Sequence, residues 1–282
     1  MYELSVENEF GEVLNLTNNP DYDVLSVDGL NPAPANINTT AISGVDGSRF
    51  NSARLGERNV VITLNINGEI EENRIELYRY FRVKHPIRVH YKNEHLDVFI
   101  DGYIETFENN LFGMLQQPQI SILCPDPYWK STSDTDVDFD IVTDLFEFPF
   151  SIESTGIAFS ELSSTPLTYF NAGNVATGAV ITFTALANGI VNPTFYNRTN
   201  GTYFGLTLTM QSGDTITINT QQGSKGAWLL RGGVKTGIVN DRSAGSVWLV
   251  FEPGENEISY GADEGAGSLR VALQTVQKFE GV

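Results

Sequence analysis

Residues 54–108 read RLGERNVVITLNINGEIEENRIELYRYFRVKHPIRVHYKNEHLDVFIDGYIETFE, and the hydrophobic period changes along this segment. In its first part, RNVVITLNI, apolar and more polar residues alternate. The alternating apolar positions are Val60, Ile62, Leu64 and Ile66. This period of two is typical of a strand with one face on a core. We therefore predict a half-buried strand that ends before the turn-forming pair Asn67-Gly68.

The next part, EIEENRIELYRYFRV, has the spacing of a helix. At about 100° per residue, Ile70, Leu77 and Phe81 lie on one stripe of its surface. Two glutamates in the first turn and Arg79 near the end complement the helix dipole. Pro86 disfavours helical backbone before it, so the helix is expected to end there.

Two further strands follow, one over residues 87–91 and one over LDVFIDGYI, with the turn KNEH between them. A strand, a helix and an antiparallel pair form a compact α+β unit in which the helix covers one sheet face. The strand Gln119–Cys124 is expected to pair back onto Ile100–Ile104. Cys124 is the single cysteine, so no intrachain disulfide forms, and its place in this strand predicts a buried thiol.

The length of 282 residues and a hydrophobic content of 41% suit two folded domains. We place the boundary after Ser133, which gives domains over residues 1–133 and 134–282, because composition changes there. The run from Asp134 to Glu153 holds seven acidic residues and no basic one. Earlier in the chain, residues Asn31 to Gly56 are rich in Asn, Pro, Ser, Thr and Gly, which predicts a long exposed loop that serves in interaction.

The formal charge of −18 is shared equally, at −9 on each side of Ser133. Neither half is basic enough to bind nucleic acid by neutralising phosphates, and acidic surfaces are repelled by anionic membranes. The N-terminal sequence MYELSVENEF has no signal-peptide pattern, and no apolar run approaches the ~20 residues of a spanning helix. The sequence thus predicts a soluble protein without an export signal.

The second half shows strand patterns separated by Gly, Asn or Pro, which predicts an antiparallel β-sandwich. The candidate strands are LFEFPFSI, VITFTAL, PTFYNRT, YFGLTLTM, DTITINT, GAWLLRG, SVWLVFE, NEISYG and LRVALQTVQKF. The fold class is therefore mainly β, with an N-terminal α+β domain followed by a sandwich.

Several pieces of the first half resemble the N-terminal domain of the distal tail proteins of long-tailed bacteriophages: RLGERNVVITLNI, YRYFRVKHP, IDGYIETFE and QISILCPDPYW. The second half resembles the galectin-like domain of the same proteins. The pieces that carry this likeness are FEFPF, NAGNVATGAVITF, NPTFYNRTNGTYFGL, SGDTITINT and VFEPGENEISY. Together they extend over almost the whole chain, in the order found in that family.

The resemblance implies a structural protein of a siphophage virion, without enzymatic activity or cofactor. It implies a ring-shaped hub, usually a hexamer, at the distal end of the tail, with the first domain building the ring and the second projecting outward. The implied partners are the tail tube protein, the tail tip protein or tail-associated lysin, and receptor-binding proteins, while DNA passes through an open centre. Such a protein is made in the bacterial host cytoplasm. The alternative is a carbohydrate-binding lectin-like sandwich protein.

Six of the 17 basic residues lie in residues 74–92, where Glu76 is the one acidic residue. They are Arg74, Arg79, Arg82, Lys84, Arg88 and Lys92. Two interpretations stay open: a solvated face, or a subunit interface that meets an acidic patch on another copy.

Other candidate sites have weaker patterns. Acidic residues at EF-hand spacing suggest calcium, but Ile141 stands where the loop needs glycine, so a solvated linker or an edge strand is the alternative. The spacing consists of Asp136, Asp138, Asp140, Asp144 and Glu147. The histidines His85, His90 and His95 lie among cations, which disfavours a metal site. Nucleophile, phosphate-loop and zinc-hydrolase motifs are absent from the sequence. Trp228 and Trp248 fit either the core or a sugar-stacking surface.

Overall fold

The computed structural model describes residues 2–113, 115–133, 135–138, 142–144, 160–162 and 166–282. The chain forms two compact units. The N-terminal unit consists of Met1–Ser133 together with Lys278–Val282, and the C-terminal unit is Asp134–Gln277. The grouping differs from the sequence-based expectation of 134–282 because the last five residues join the first unit.

The N-terminal unit is built on an antiparallel sheet. Its elements are β1 Glu3–Asn8, β2 Val13–Asn15, β3 Tyr22–Asp28, β4 Ala35–Ala41, β5 Ser48–Leu55, β6 Arg58–Ile66, α1 Ile70–Tyr80, β7 Pro86–Lys92, β8 Asp97–Glu108, β9 Gln119–Cys124 and β10 Trp129–Ser131. The main sheet has the order β2-β1-β7-β8-β9-β6-β3. β10 adds to the start of β8 and pairs on its other side with Lys278–Phe279.

The strand predicted from the alternation in residues 58–66 is confirmed. All four apolar residues identified in it are buried in β6. In α1, Leu77 is buried, and Phe81 just beyond the helix packs with it in the same core cluster. Ile70 is more exposed than its place on the stripe predicts. The Tyr22 hydroxyl donates to Glu76 Oε2 at 2.8 Å and so ties the helix to β3.

The predicted pairing of β9 with β8 is confirmed by the register Ile104↔Ile122. One strand of this unit has no counterpart among the predicted strands, and one expectation needs correction. β1 was not predicted, although Leu4 and Val6 alternate toward the core. The expected loop at 31–56 instead contains the antiparallel hairpin β4–β5.

The C-terminal unit is an antiparallel sandwich, as predicted. Its strands are β11 Thr135–Asp138, β12 Val142–Asp144, β13 Ser160–Leu162, β14 Leu167–Asn171, β15 Ala179–Ala185, β16 Ile190–Val191, β17 Thr194–Asn197, β18 Thr202–Gly205, β19 Thr209–Met210, β20 Thr215–Asn219, β21 Gly226–Arg231, β22 Val234–Gly237, β23 Gly254–Gly261 and β24 Leu269–Thr275. The strand Lys278–Phe279 of the N-terminal unit is β25.

Two sheets enclose the core of this unit. One has the order β11-β24-β15-β20-β21-β22 and the other β14-β23-β17-β18. Inward residues such as Phe183 and Ile216 of the first sheet form one buried cluster with Phe195 and Ile258 of the second. Alternation thus separates an inner apolar face from an outer face on each sheet.

Two predicted strands of the sandwich require comment. SVWLVFE does not form a strand, although Leu249 and Phe251 in it are buried, and Phe251 makes an isolated bridge with Thr177. LFEFPFSI lies outside the described residues. None of the helices in the described part of the chain has the length and hydrophobicity that crossing a bilayer requires.

Candidate subunit interface

The six cations proposed as an interface lie on α1, on β7 and in the connection between them. Five of them form ion pairs with carboxylates of the same chain. The pairs are Arg74–Glu71, Arg79–Glu12, Arg82–Glu9, Arg88–Asp101 at 2.7 Å and Lys92–Asp97 at 3.0 Å. Sequence reasoning missed these partners because every one of the carboxylates lies outside residues 74–92.

These pairs lower the charge that the basic stretch offers to another molecule. The hydrogen bond with Asp97 raises the pKa of Lys92, so the amine stays protonated and the carboxylate beside it offsets its charge. Such solvent-exposed pairs contribute little to stability, because water screens the two charges. Lys84 is exposed and has no ion-pair partner among the described residues. The stretch is therefore a largely neutralised surface rather than a strongly basic one.

The histidines of this region also contact nearby acids. His85 Nδ1 lies 2.8 Å from Glu9 Oε2, and His90 Nε2 lies 3.1 Å from Glu7 Oε2. In the described part of the chain, no three His, Cys, Asp or Glu side chains are grouped as metal ligands. Asp136 and Asp138 of the calcium-like spacing lie in β11, opposite Gln274 and Ala272. Asp140, Ile141 and Glu147 lie outside the described residues.

The hairpin β4–β5 is a second candidate interface, and its two faces differ in chemistry. Directly paired residues share a face, and so do residues two apart on one strand. The register places Ile37 opposite Ala53 and Thr39 opposite Phe50, after a bulge at Asn51. The first face consists of Ala35, Ile37, Thr39, Ala41, Ser48, Phe50, Ala53 and Leu55. It is mainly apolar.

The opposite face of the hairpin is polar. It carries Asn36, Asn38, Thr40, Arg49, Ser52 and Arg54. Asn51 Nδ2 also donates to Thr40 Oγ1 at 2.7 Å, so the bulge adds to this polar side. An amphipathic sheet of this kind is expected to pack its apolar face on something and leave its polar face to water.

Within the described chain, the apolar face is not packed. Ile37 is 63% exposed and Phe50 is 61% exposed, and Ile42 and Val45 at the hairpin tip are similarly open. β4 and β5 form a two-stranded sheet, so each has an outer edge unpaired among the described strands. The hairpin therefore combines exposed apolar side chains with free backbone groups, which are two features of a surface awaiting a partner.

The other candidate residues, one cysteine and two tryptophans, lie in different environments. Cys124 is buried, as predicted. Trp248 is half-buried against the sandwich core, with its ring 5.1 Å from that of Phe204. Trp228 lies instead on the outer face of its sheet, because Ala227 beside it points into the core.

Comparison with known sequences assigns both units. Residues 11–124 match the phage tail protein RIFT-related domain. Residues 172–273 match the C-terminal domain of the siphovirus-type tail component. Together the two matches take in well over half of the chain, in the order of the two units. The chain belongs to the siphophage distal tail (Dit) family. As a Dit protein it is a structural component of the virion, at the distal end of the tail.

Solved structures share this fold over the full length. The crystal structure of Dit from phage SPP1, described as a paradigm of the hub adsorption apparatus in phages infecting Gram-positive hosts, aligns with a TM-score of 0.68 at 14% identity. The alignment covers 98% of this chain and 99% of that one. No curated protein sequence matches the chain significantly.

Two structures of the phage p2 baseplate in its activated conformation also align. The calcium form gives a TM-score of 0.57 at 11% identity and covers both chains completely. The strontium form gives 0.53 at 11% identity, with 97% of this chain and 98% of that chain covered. At these identities the similarity concerns the fold.

Proposed function

We propose that copies of this Dit protein close into a ring, a hexamer, that joins the tail tube to the tail tip or baseplate. The observation that carries the proposal is the amphipathic hairpin β4–β5, whose apolar face has no packing partner in the described chain. A second copy is the partner that a closed ring supplies to every subunit alike.

The energetics of the hairpin favour this assembly. A two-stranded sheet by itself is marginally stable in water. Burying Ile37 and Phe50 against a neighbouring copy would contribute about 1.5–3 kcal/mol for each side chain. Edge pairing with the neighbour would also satisfy the outer backbone groups of β4 and β5. The polar face carrying Asn36 and Arg54 would then remain in contact with water.

The basic stretch has a smaller role in this proposal. Lys84 is available to a carboxylate of a neighbouring subunit, whereas the other five cations must exchange an existing partner. The ring would contact the tail tube protein on one side and the tip protein or tail-associated lysin on the other, with receptor-binding proteins attached. The presence of similar chains in a phage baseplate supports such contacts. The chain would be made in the host cytoplasm, and its function would be connection without catalysis.

The test replaces the apolar side chains at the hairpin surface. In size exclusion with light scattering, the unaltered protein should give a multiple of the chain mass. The variant Ile37→Ser with Phe50→Ser should give the mass of the monomer. The control, Asn36→Ser with Asn38→Ser, changes the same number of residues on the opposite face and should retain the assembly. Since Ile37 and Phe50 are exposed in the single chain, the thermal unfolding of the monomer should be little changed.

Two results would count against the proposal. The first is an apolar-face variant that assembles as fully as the unaltered protein. The second is a polar-face control that loses assembly to the same extent, because the effect would then not follow the apolar face.

A further inference from the structure

The connection from β8 to β9, residues 109–118, exposes a group of apolar side chains. Leu111, Phe112 and Leu115 are all exposed, and Phe112 is fully so. No other five-residue stretch in the described part of the chain exposes three large apolar side chains. The connection also contains no charged residue, in a chain whose net charge is −18. Such a surface can be buried against another acidic copy without opposing like charges.

Hydrogen bonds fix this β8–β9 loop at its base and at its turn. The backbone N–H of Ile66 in β6 donates to the carbonyl of Gln116 at 3.1 Å. Asn109 Nδ2 donates to Gln116 Oε1 at 3.0 Å and so joins the two ends of the loop. In the turn, the N–H of Phe112 donates to Asn110 Oδ1 at 3.3 Å. Phe112 is thus presented to solvent by a turn whose base is bonded to the sheet.

The base of the hairpin β4–β5 and the β8–β9 loop lie at opposite ends of one strand. β6 begins at Arg58, just after the hairpin closes with Ala35 paired to Leu55. It ends at Ile66, whose N–H is bonded to the loop. At about 3.3 Å per residue, the nine residues of β6 separate the two points by about 26 Å. One N-terminal unit therefore carries apolar surfaces at two opposite ends.

A ring of more than two copies needs two different complementary surfaces on each chain. If the hairpin packed on the hairpin of its neighbour, the contact would be symmetric and would close as a pair. The apolar face with Ile37 and Phe50 therefore supplies one half of a head-to-tail contact. The β8–β9 loop has the matching chemistry at the opposite end of β6, and neither surface carries a charged side chain.

We infer that the apolar face of the hairpin β4–β5 of one copy packs on the β8–β9 loop of the next copy. In this contact, Phe112 of one subunit meets Ile37 and Phe50 of its neighbour. Tyr78 of α1 and Phe107 at the end of β8, with ring centroids 4.9 Å apart, extend the apolar surface at the base of the loop. The inference rests on the ring assembly proposed above and names the surface that receives the hairpin.

The test mixes two variants of the full chain that lack different surfaces. Phe112→Ser with Leu115→Ser removes the loop surface, and Ile37→Ser with Phe50→Ser removes the hairpin surface. Each variant alone should give the monomer mass in size exclusion with light scattering. An equimolar mixture should give twice the chain mass, because the intact hairpin of one variant binds the intact loop of the other. Growth stops there, since the two remaining surfaces are both disabled.

A matched control removes the same residue types from exposed positions of the C-terminal unit. Phe170→Ser with Leu186→Ser should assemble as fully as the unaltered protein. Because all of the replaced side chains are exposed in the single chain, thermal unfolding of each monomer should be unchanged. Loss of assembly in this control would show that the effect does not follow the β8–β9 loop, and would overturn the inference.

Failure of this inference and failure of the ring proposal give different results. A loop variant that assembles as fully as the unaltered protein, while the hairpin variant does not, overturns the inference and leaves the ring proposal intact. A mixture that stays at the monomer mass also overturns the inference alone. Full assembly of the hairpin variant overturns both.

Discussion

The guanidinium of Arg58 donates from Nη2 to the backbone carbonyl of Glu280, 222 residues further along the chain. The same side chain donates from Nε to the carbonyl of Pro127 at 2.7 Å and from Nη1 to that of Asn31 at 2.6 Å. Arg58 is almost fully buried, and this burial lowers the pKa of its guanidinium. One buried cation thus holds the C-terminus against the loops of the N-terminal unit.

Arg58→Met should destabilise the N-terminal unit by about 3–5 kcal/mol, since several buried carbonyls would lose a charged donor. Hydrogen exchange of the full chain, followed by mass spectrometry, measures this loss of stability in each unit. Amides of β6 and β9 should exchange faster, and those of β15 and β20 should not. Arg54→Met, in the exposed hairpin, is the matched control. Equal acceleration in both units would contradict this role of Arg58.

The pair Asp214–Arg231 gives the C-terminal unit a predicted acid sensitivity. Arg231 binds both carboxylate oxygens, at 3.0 Å and 2.6 Å, and the Gln211 N–H donates to Oδ2 at 2.7 Å. The hydrogen bond from Arg231 keeps the pKa of Asp214 below its ordinary value of 3.8. The stabilisation is therefore complete above about pH 4 and is lost as the pH falls through the lowered pKa.

Asp214→Asn should destabilise the C-terminal unit by about 1–3 kcal/mol at pH 7, because it removes the charge-assisted bonds. Between pH 4 and pH 2, its melting temperature should fall less steeply than that of the unaltered protein. Scanning calorimetry across this range gives both quantities. Parallel slopes for the two proteins would show that Asp214 does not carry the acid sensitivity.

The thiol of Cys124 should be unreactive in the folded protein. Burial raises its pKa to about 12, so the thiolate that attacks disulfides is scarce at neutral pH. A Cβ on Gly102 would lie 2.8 Å from Sγ, which indicates close packing around the sulfur. With an aromatic disulfide reagent at pH 8, we expect no reaction before unfolding and one equivalent afterwards. Rapid labelling of the native chain would disprove the burial.

Charge-reversal substitutions distinguish the two possible roles of the basic stretch, which are ion pairing within one subunit and contact with another subunit. Arg79→Glu with Arg82→Glu should weaken assembly at low salt if these cations contact another subunit. Adding Glu12→Arg and Glu9→Arg restores the intrachain pairs with reversed sign. Recovery of assembly in the fourfold variant would assign the arginines a structural role within one subunit. Continued weakness, observed by light scattering, is the result expected of a true interface.

The parts of the fold that sequence predicted are those whose pattern is local. In β6 and α1 one face is buried, so apolar residues recur along the sequence at the period of a strand or of a helix. The hairpin β4–β5 escaped prediction because neither face is buried in one chain, and Asn, Thr and Ser fill much of it. Its residues 31–56 were nevertheless identified as an interaction segment, which remains our proposal.

The candidate interface was harder to predict because its chemistry is not local. Arg82 was recognised as part of a basic stretch, but its partner Glu9 lies in the loop after β1. Arg58 has backbone carbonyls as partners, and these carry no sequence signature. Trp228 and Trp248 both stand in apolar segments, and only the strand alternation around Ala227 distinguishes an outer-face indole from one against the core.

The central claim, that this Dit protein is a ring-forming hub, is tested most directly by imaging the purified full chain. Negative-stain class averages should contain closed rings with an open centre and sixfold symmetry, and native mass spectrometry of the same sample should give six chain masses. Single particles of one chain mass at concentrations well above those used for imaging would contradict the account, as would open filaments without closure.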